Sequence, residues 1–191
     1  MGESGQRVCA LALAAVVAMA ALCAAAATQE EVSFVPAMRA GDTELSLYGV
    51  GLQRWRHIFK VYVAGLYLGP GVQASAALTD VPKRLEIEYL HGIRARDFVL
   101  AIKQAIARNV EPGALAKLQP AIAHLCALYE DIGPGDRYAL TYWPGAGTEL
   151  TKNGRSLGVV GDAEFARALF AIWLGPKPLD EELKADLLGL R

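Results

Sequence analysis

The run of residues 57–68, HIFKVYVAGLYL, constrains the fold more than any other feature of the chain. It is rich in β-branched and aromatic residues, which favour a strand over a helix. One face of this strand is apolar apart from a tyrosine hydroxyl, and the other carries Lys60 and Tyr62 side by side among apolar residues. The sequence Gly69-Pro70-Gly71 ends it. The pattern therefore predicts one long strand in a sheet.

Further strands are predicted on both sides of this run. Residues 43–52 alternate, with Leu45, Leu47 and Gly49 on one face. Residues 83–90 also alternate, and this predicts a half-buried strand with a solvated charged face formed by Arg84, Glu86 and Glu88. Residues 138–143 return to a strand pattern, and residues 148–160 contain Asn-Gly at 153–154, a strong hairpin signal.

Four helices are predicted, the first three from apolar residues spaced three and four apart and the last from its capping aspartate. They span residues 94–109, 114–129, 163–173 and 180–188. Pro120 is expected either to bend the second helix or to split it, and Asp162 and Asp180 are expected to cap the last two. Because strands and helices are partly segregated along the chain, the order indicates an α+β fold and not alternating βαβ units.

The N-terminus has the pattern of a secretory signal peptide. Residues 8–27 carry no charge, and Ala25, Ala26 and Ala27 satisfy the small-x-small rule of signal peptidase. We expect cleavage before Thr28, which divides the chain into a signal peptide (1–27) and one domain (28–191) in the periplasm or outside the cell, with no membrane span left. The alternative is that the apolar run stays as a membrane anchor, since it is about long enough to cross a bilayer.

Composition excludes several functions. Of three cysteines, only Cys126 lies beyond the predicted signal, so neither an internal disulfide nor a thiolate zinc cluster is expected. The three histidines have no metal-ligand spacing. A net charge of −1 without a basic stripe does not favour nucleic acid as a partner.

No catalytic constellation is evident from the residues. Gly49-x-Gly51 does not precede a helix, so it is not a phosphate-binding loop. No G-x-S-x-G nucleophile elbow is present in the sequence. No catalytic residue, cofactor or metal is predicted.

A basic and aromatic cluster at residues 53–57, QRWRH, joins the first two long strands and leads to Lys60 and Tyr62. Cations at the mouth of an apolar groove can hold a carboxylate by paired hydrogen bonds. The alternative is an ordinary polar turn with Trp55 packed beneath it.

Two long segments resemble the chalcone-isomerase-like family. Residues 49–68 are similar to its glycine turn and following strand, and residues 160–180 are similar to its closing helices. The likeness is greatest to the bacterial branch that carries signal peptides. It implies a chalcone isomerase fold, in which a large antiparallel sheet and a helical layer form a cleft. Plant members cyclise chalcones, whereas other members bind fatty acids.

At most positions where the isomerases of the family carry polar site residues, this sequence has a different side chain. The family arginine after the glycine turn falls on Gln53, with Arg54 one place later, and its strand threonine aligns with Tyr62. Its helix tyrosine and asparagine fall near Phe98 and Ala105, which cannot stabilise an oxyanion.

These observations lead to three hypotheses. The first is a non-catalytic binder of an apolar molecule with an anionic head, such as a fatty acid, in which Arg54 pairs with the head and Tyr62 donates a hydrogen bond. The second is an intramolecular lyase of the chalcone isomerase type with a rearranged site. The third is an interaction module of the cell envelope without a ligand. The sequence leaves open the ligand, the oligomeric state and whether Arg54 or Arg56 faces the cleft.

Overall fold

A seven-stranded antiparallel sheet forms the frame of the protein, in a computed structural model that describes residues 27–40, 43–56 and 58–191. Its strands are adjacent in chain order, so each pairs with the one before it. They are β3 (Ala37–Ala40), β4 (Thr43–Trp55), β5 (Phe59–Leu68), β6 (Lys83–Tyr89), β7 (Arg137–Trp143), β8 (Gly147–Lys152) and β9 (Arg155–Val160). The strands predicted from the alternating patterns are all confirmed.

Four helices cover one face of the sheet. They are α1 (Ala95–Asn109), α2 (Pro112–Leu128), α3 (Ala163–Leu174) and α4 (Glu181–Leu187). Helix α3 is the most enclosed, because nine of its side chains are buried. Pro120 lies inside α2 without splitting it. Asp162 and Asp180 cap α3 and α4 as predicted, with side-chain oxygens accepting from the first-turn amides.

A short N-terminal hairpin, formed by β1 (Ala27–Gln29) and β2 (Val32–Phe34), contributes to a second core. The sequence patterns did not predict it. Phe34 is fully buried against Gly65 of β5, where a Cβ atom would lie 2.8 Å from the phenylalanine ring. Val32, Leu45, Leu52, Val63 and Tyr67 complete this core. It is distinct from the larger core between the sheet and the helices.

The charged face of β6 is not solvated, and that prediction is wrong. Glu86 is buried, and its carboxylate accepts from Arg84 at 2.9 Å and from Arg137 at 2.7 Å. Arg137 also bonds Glu88 and donates to the backbone carbonyl of Ser33 in β2 at 2.9 Å. An ion-pair network therefore ties the N-terminal hairpin to β6 and β7.

Two irregularities change which side chains share a face. The β4–β5 register shifts between Leu47 and Gly49, so Gly49 faces α4 while Leu47 packs in the second core, contrary to the predicted alternation. A second shift, between Gln53 and Arg54, breaks the alternation of β5 near Val61. Each β-bulge inserts one residue, so the side chains that follow it lie on the opposite face from the one that simple alternation predicts.

Gly49 and Gly51 let α4 approach β4 closely. A Cβ atom at Gly49 would lie 2.4 Å from the carbonyl oxygen of Asp186, and one at Gly51 would lie 2.7 Å from Leu183. These two glycines of β4 therefore have a packing role, because a side chain at either position would displace the helix.

All buried apolar residues of the two cores lie between Val32 and Leu187. The predicted signal peptide lies outside the described residues, apart from Ala27. Of the helices in the described part of the chain, none is long and apolar enough to cross a bilayer.

Candidate functional site

A cavity of about 660 Å³ lies between the helical layer and the first strands of the sheet. Its volume is in the range of small-molecule sites, about 300–1,000 Å³. Residues from β4, β5 and β6 line one side, and residues from α1, α3 and the segment entering α4 line the other. Most of the interior is aromatic or aliphatic, with Val61, Phe98, Ala101, Ile102, Ala105 and Ile172 among the contributors.

A chain of hydrogen bonds runs along the wall of this cavity. The indole N–H of Trp173 donates to the Tyr62 hydroxyl at 2.9 Å, and that hydroxyl donates to Gln53 Oε1 at 3.3 Å. Gln53 Nε2 in turn donates to Asp180 at 3.2 Å, the residue that caps α4. Gln53 thus links the sheet to the helical layer. Neither Gln53 nor Trp173 was predicted to join Tyr62. Trp173 is distant in sequence, and the contact with Gln53 depends on the register of β4 with β5.

The Tyr62 side chain is buried, and this desolvation raises its pKa well above the usual value of 10.0. The hydroxyl therefore stays protonated and neutral at physiological pH, because burial disfavours the phenolate. It cannot serve as a general base, but it can donate a hydrogen bond. Lys60 does not lie beside it as the alternation predicted. Lys60 instead pairs with Glu30 in the β1–β2 turn, at 2.5 Å, because the bulge at Val61 reverses the phase.

Tyr89 is the second hydroxyl-bearing side chain of the cavity wall. It is only 5% exposed, and burial raises its pKa well above the usual value. Its ring packs edge-on against Tyr62 at 5.4 Å and Phe98 at 5.3 Å. In contrast to Tyr62, its hydroxyl makes no hydrogen bond to a side chain or backbone group of the described residues. The Tyr89 hydroxyl is thus available as a polar contact in the cavity wall. The sequence pattern predicted Tyr89 only as part of the buried face of a strand.

Phe98 and Ala105, near which the resemblance places the family's helix tyrosine and asparagine, both line the cavity. The Phe98 ring stacks on Tyr129 at 5.1 Å. Neither side chain offers a polar atom, so the wall formed by α1 has no side-chain donor for an oxyanion at these two positions.

The mouth of the cavity carries two arginines and a tryptophan. Arg54 is half-buried, and Arg56 is exposed with its guanidinium 4.6 Å from the centre of the Trp55 ring. Neither arginine has a salt bridge within the described ranges. Both line the cavity. Trp55 is 56% exposed, so the alternative of a polar turn with the tryptophan packed beneath it is wrong.

Four carboxylates also stand at the mouth, and each has partners of its own. Asp97 pairs with Arg94 at 3.4 Å, and Asp180 caps α4. Glu181 lies 3.9 Å from Lys184, and Glu182 lies 3.9 Å from Arg191. Within the described part of the chain, the two arginines are therefore the charged side chains of the mouth that make neither a salt bridge nor a hydrogen bond.

No group of three or more potential ligands for a metal ion occurs among the residues that the structure describes. Cys126 is a free, half-buried thiol, and burial raises its pKa. Cys126 is not part of the cavity lining.

Comparisons with known proteins relate the fold to one family. The profile of the family described as Chalcone isomerase-like matches residues 26–189. No curated protein matches the sequence. Among solved structures, the fatty-acid binding protein AtFAP1 of Arabidopsis thaliana is similar, with a TM-score of 0.70 and 17% sequence identity over 86% of this chain and 96% of that one. At this identity, the likeness concerns the fold.

Proposed function

Because the chain belongs to the Chalcone isomerase-like family, we propose that it is a non-catalytic binder of an apolar molecule with an anionic head, with fatty acids as the ligand class. The fold likeness to a plant protein named as fatty-acid binding supports this proposal. The proposal includes export: residues 28–191 act in the periplasm or outside the cell after removal of the signal peptide.

One observation carries the proposal: an apolar cavity opens beside an arginine that has no ion-pair partner in the described part of the chain. The acyl chain would occupy the aromatic interior, where burial of apolar surface contributes about 25 cal/mol per Å². Arg54 would bind the carboxylate by two parallel hydrogen bonds at the mouth.

The role proposed for Tyr62 is that of a second donor to the same head group. Its contact with Gln53, at 3.3 Å, is long for a hydroxyl, whose hydrogen bonds to oxygen are usually about 2.7–2.8 Å. A carboxylate that came closer would compete successfully for the hydroxyl proton. Tyr62 would keep its bond from Trp173 throughout, so its ring would not have to move.

Titration with dodecanoic acid, dodecanol and dodecyltrimethylammonium tests the proposal, because these probes share a chain and differ in head group. We expect the acid to bind most tightly and the Arg54→Gln variant to lose about tenfold or more of its affinity for the acid alone, as removal of a charged hydrogen bond implies. Arg39→Gln, at an exposed site on β3, is the matched control. Equal affinity for the three heads, or an unchanged Arg54→Gln, would contradict the proposal.

Catalysis is tested separately by incubating the protein with chalcones. A chalcone isomerase mechanism requires a base to deprotonate the phenol of the substrate, and the neutral tyrosines cannot act as that base. It also requires donors for the developing oxyanion, which Phe98 and Ala105 do not offer. Cyclisation faster than in matched buffer would replace the binding proposal with the isomerase hypothesis.

Export has a direct test of its own. The N-terminal residue of the protein recovered from a periplasmic or culture fraction should be Thr28. A chain that remains in the membrane fraction with its N-terminus intact would instead support the anchor hypothesis.

A further inference from the structure

The turn between β4 and β5 presents an unusual group of exposed side chains, which we call the hairpin tip and define as Arg54, Trp55, Arg56, Ile58 and Phe59. Trp55, Ile58 and Phe59 are 56%, 75% and 58% exposed. Three of the eight strongly exposed large apolar side chains in the described ranges thus lie within five positions of the sequence. Isolated exposed apolar residues are ordinary, but a cluster of this kind marks an interaction site.

The tip is partly preassembled. The rings of Trp55 and Phe59 lie 5.9 Å apart, and the Arg56 guanidinium covers the Trp55 ring. Both arginines of the tip are without an acidic partner among the described residues, whereas Lys60, which follows the tip, is paired with Glu30. The sequence from 54 to 60 contains no acidic residue. The tip is therefore locally cationic and apolar on a chain whose net charge is −1.

We propose that the hairpin tip docks on the surface of an anionic lipid bilayer. Tryptophan and phenylalanine side chains insert at the level of the lipid head groups, and nearby arginines pair with anionic phosphates. A second copy of the chain is a poorer fit, because a stable protein interface buries about 800 Å² on each partner. A tip of five residues is small for that purpose but sufficient for shallow insertion into a membrane.

The position of the tip supports a bilayer further. Arg54, Trp55 and Arg56 belong both to the tip and to the wall of the cavity. Docking would therefore place the cavity mouth against the lipid, where acyl chains are concentrated. This part of the argument rests on the proposed function, since it assumes an apolar ligand with an acyl chain. Ile58 and Phe59 do not line the cavity, which allows docking and ligand binding to be separated.

Co-sedimentation with vesicles tests the proposal on residues 28–191, which contain all buried residues of both cores. Using this chain removes the apolar run 8–27, which would bind vesicles by itself. The protein should sediment with vesicles of phosphatidylcholine containing phosphatidylglycerol, and more weakly with phosphatidylcholine alone. The double variant Ile58→Ser/Phe59→Ser should lose at least about tenfold in partitioning, as expected when two large apolar side chains are removed.

Val159→Ser is the matched control, because Val159 is also exposed, at 51%, but lies on β9 at the opposite edge of the sheet. It should sediment like the unaltered protein. Absence of vesicle binding, or equal binding by the double variant, would overturn the proposal. Self-association that the double variant abolishes, without vesicle binding, would overturn it in favour of a second copy.

Affinity for dodecanoic acid in the absence of vesicles separates this proposal from the proposed function. The double variant should bind the acid as the unaltered protein does. If neither protein binds the acid but only the unaltered one sediments with vesicles, the docking proposal stands and the fatty-acid proposal fails.

Discussion

The two faces of the central sheet are both covered, yet they differ in how their polar groups are used. On the face toward the N-terminal hairpin, Arg84, Glu86, Glu88 and Arg137 satisfy one another in a closed ion-pair network. On the face toward the helices, the layers separate around a cavity, where the Tyr89 hydroxyl and the two mouth arginines have no partner among the described residues. Closed polar pairing is typical of a face whose role is stability, and polar groups left open toward an apolar cavity are typical of a ligand site.

The largest effect should come from breaking the hairpin face. Phe34→Ala should lower the free energy of unfolding by about 3–5 kcal/mol, because it empties the centre of the smaller core. Denaturant titration measures the loss, and Val35→Ala, at the exposed neighbouring position, should change stability little. The affinity of the folded Phe34→Ala variant for dodecanoic acid should be unchanged. A comparable loss of affinity would show that the two faces are coupled.

Removal of one cation from the network should have the next largest effect. Arg137→Met removes a positive charge that pairs with both Glu86 and Glu88. It should lower the free energy of unfolding by about 2–3 kcal/mol, somewhat less than breaking a fully buried pair. Arg155→Met is the control, since its pair with Glu130 is exposed and should contribute less than about 1 kcal/mol. Equal losses in the two variants would mean that the network is not sheltered from water as its burial indicates.

On the cavity face, the two tyrosines should respond differently to loss of the hydroxyl. Tyr62→Phe removes the acceptor of the Trp173 indole N–H and the donor to Gln53 Oε1, and should cost about 1–3 kcal/mol. Tyr89→Phe removes a hydroxyl that has no partner among the described residues, so the stability of this variant should change by less than about 0.5 kcal/mol. Thermal unfolding of both variants tests this contrast, and a large loss in Tyr89→Phe would show that its hydroxyl is bonded.

The smallest effect concerns pH and Lys83, at the closed end of the helical face. Lys83 is buried and donates to the carbonyls of Ala77 and Thr79, at 2.9 and 2.6 Å, and burial lowers its pKa from 10.5 to about 8. Between these two pH values the unfolded chain binds a proton that the folded chain has released. The free energy of unfolding should therefore rise with pH across this window, by about 1 kcal/mol after allowance for solvent screening.

Comparison with Lys83→Met isolates this contribution, because the variant lacks the titrating group. The difference in unfolding free energy between the two proteins should change only above about pH 8. A difference that stays constant from pH 7 to pH 11 would contradict the lowered pKa.

Much of the fold follows from local sequence. Alternation predicted the strands from residue 43 onward, and the three- and four-residue spacing predicted the first three helices. Asn153-Gly154 predicted the β8–β9 turn, where both residues have positive φ angles. The aspartates at 162 and 180 predicted the helix caps. These signals depend only on residues near one another in the sequence, so they can be recognised without knowing which segments pack together in the fold.

The site was predictable only in part. The cluster at 53–57 indicated the cavity mouth, and both Arg54 and Tyr62 line the cavity. Their roles toward a ligand remain predictions. The placement of Lys60 beside Tyr62 was wrong, because a bulge reverses the alternation and no local signal in the sequence marked it.

The sequence by itself determined the α+β class, the order of the strands and helices, and the aromatic and basic cluster of Arg54, Trp55 and Arg56 that lies at the cavity mouth. Tertiary structure decided the rest: the hairpin that covers the charged strand face, the bulges that reorient Gly49 and Lys60, and the bonds that join Tyr62 to Gln53 and Trp173. The periodicity of the sequence indicates which side chains share one face of a strand or helix. It does not show what those side chains meet, because contacts between residues far apart in the chain arise only when the layers pack.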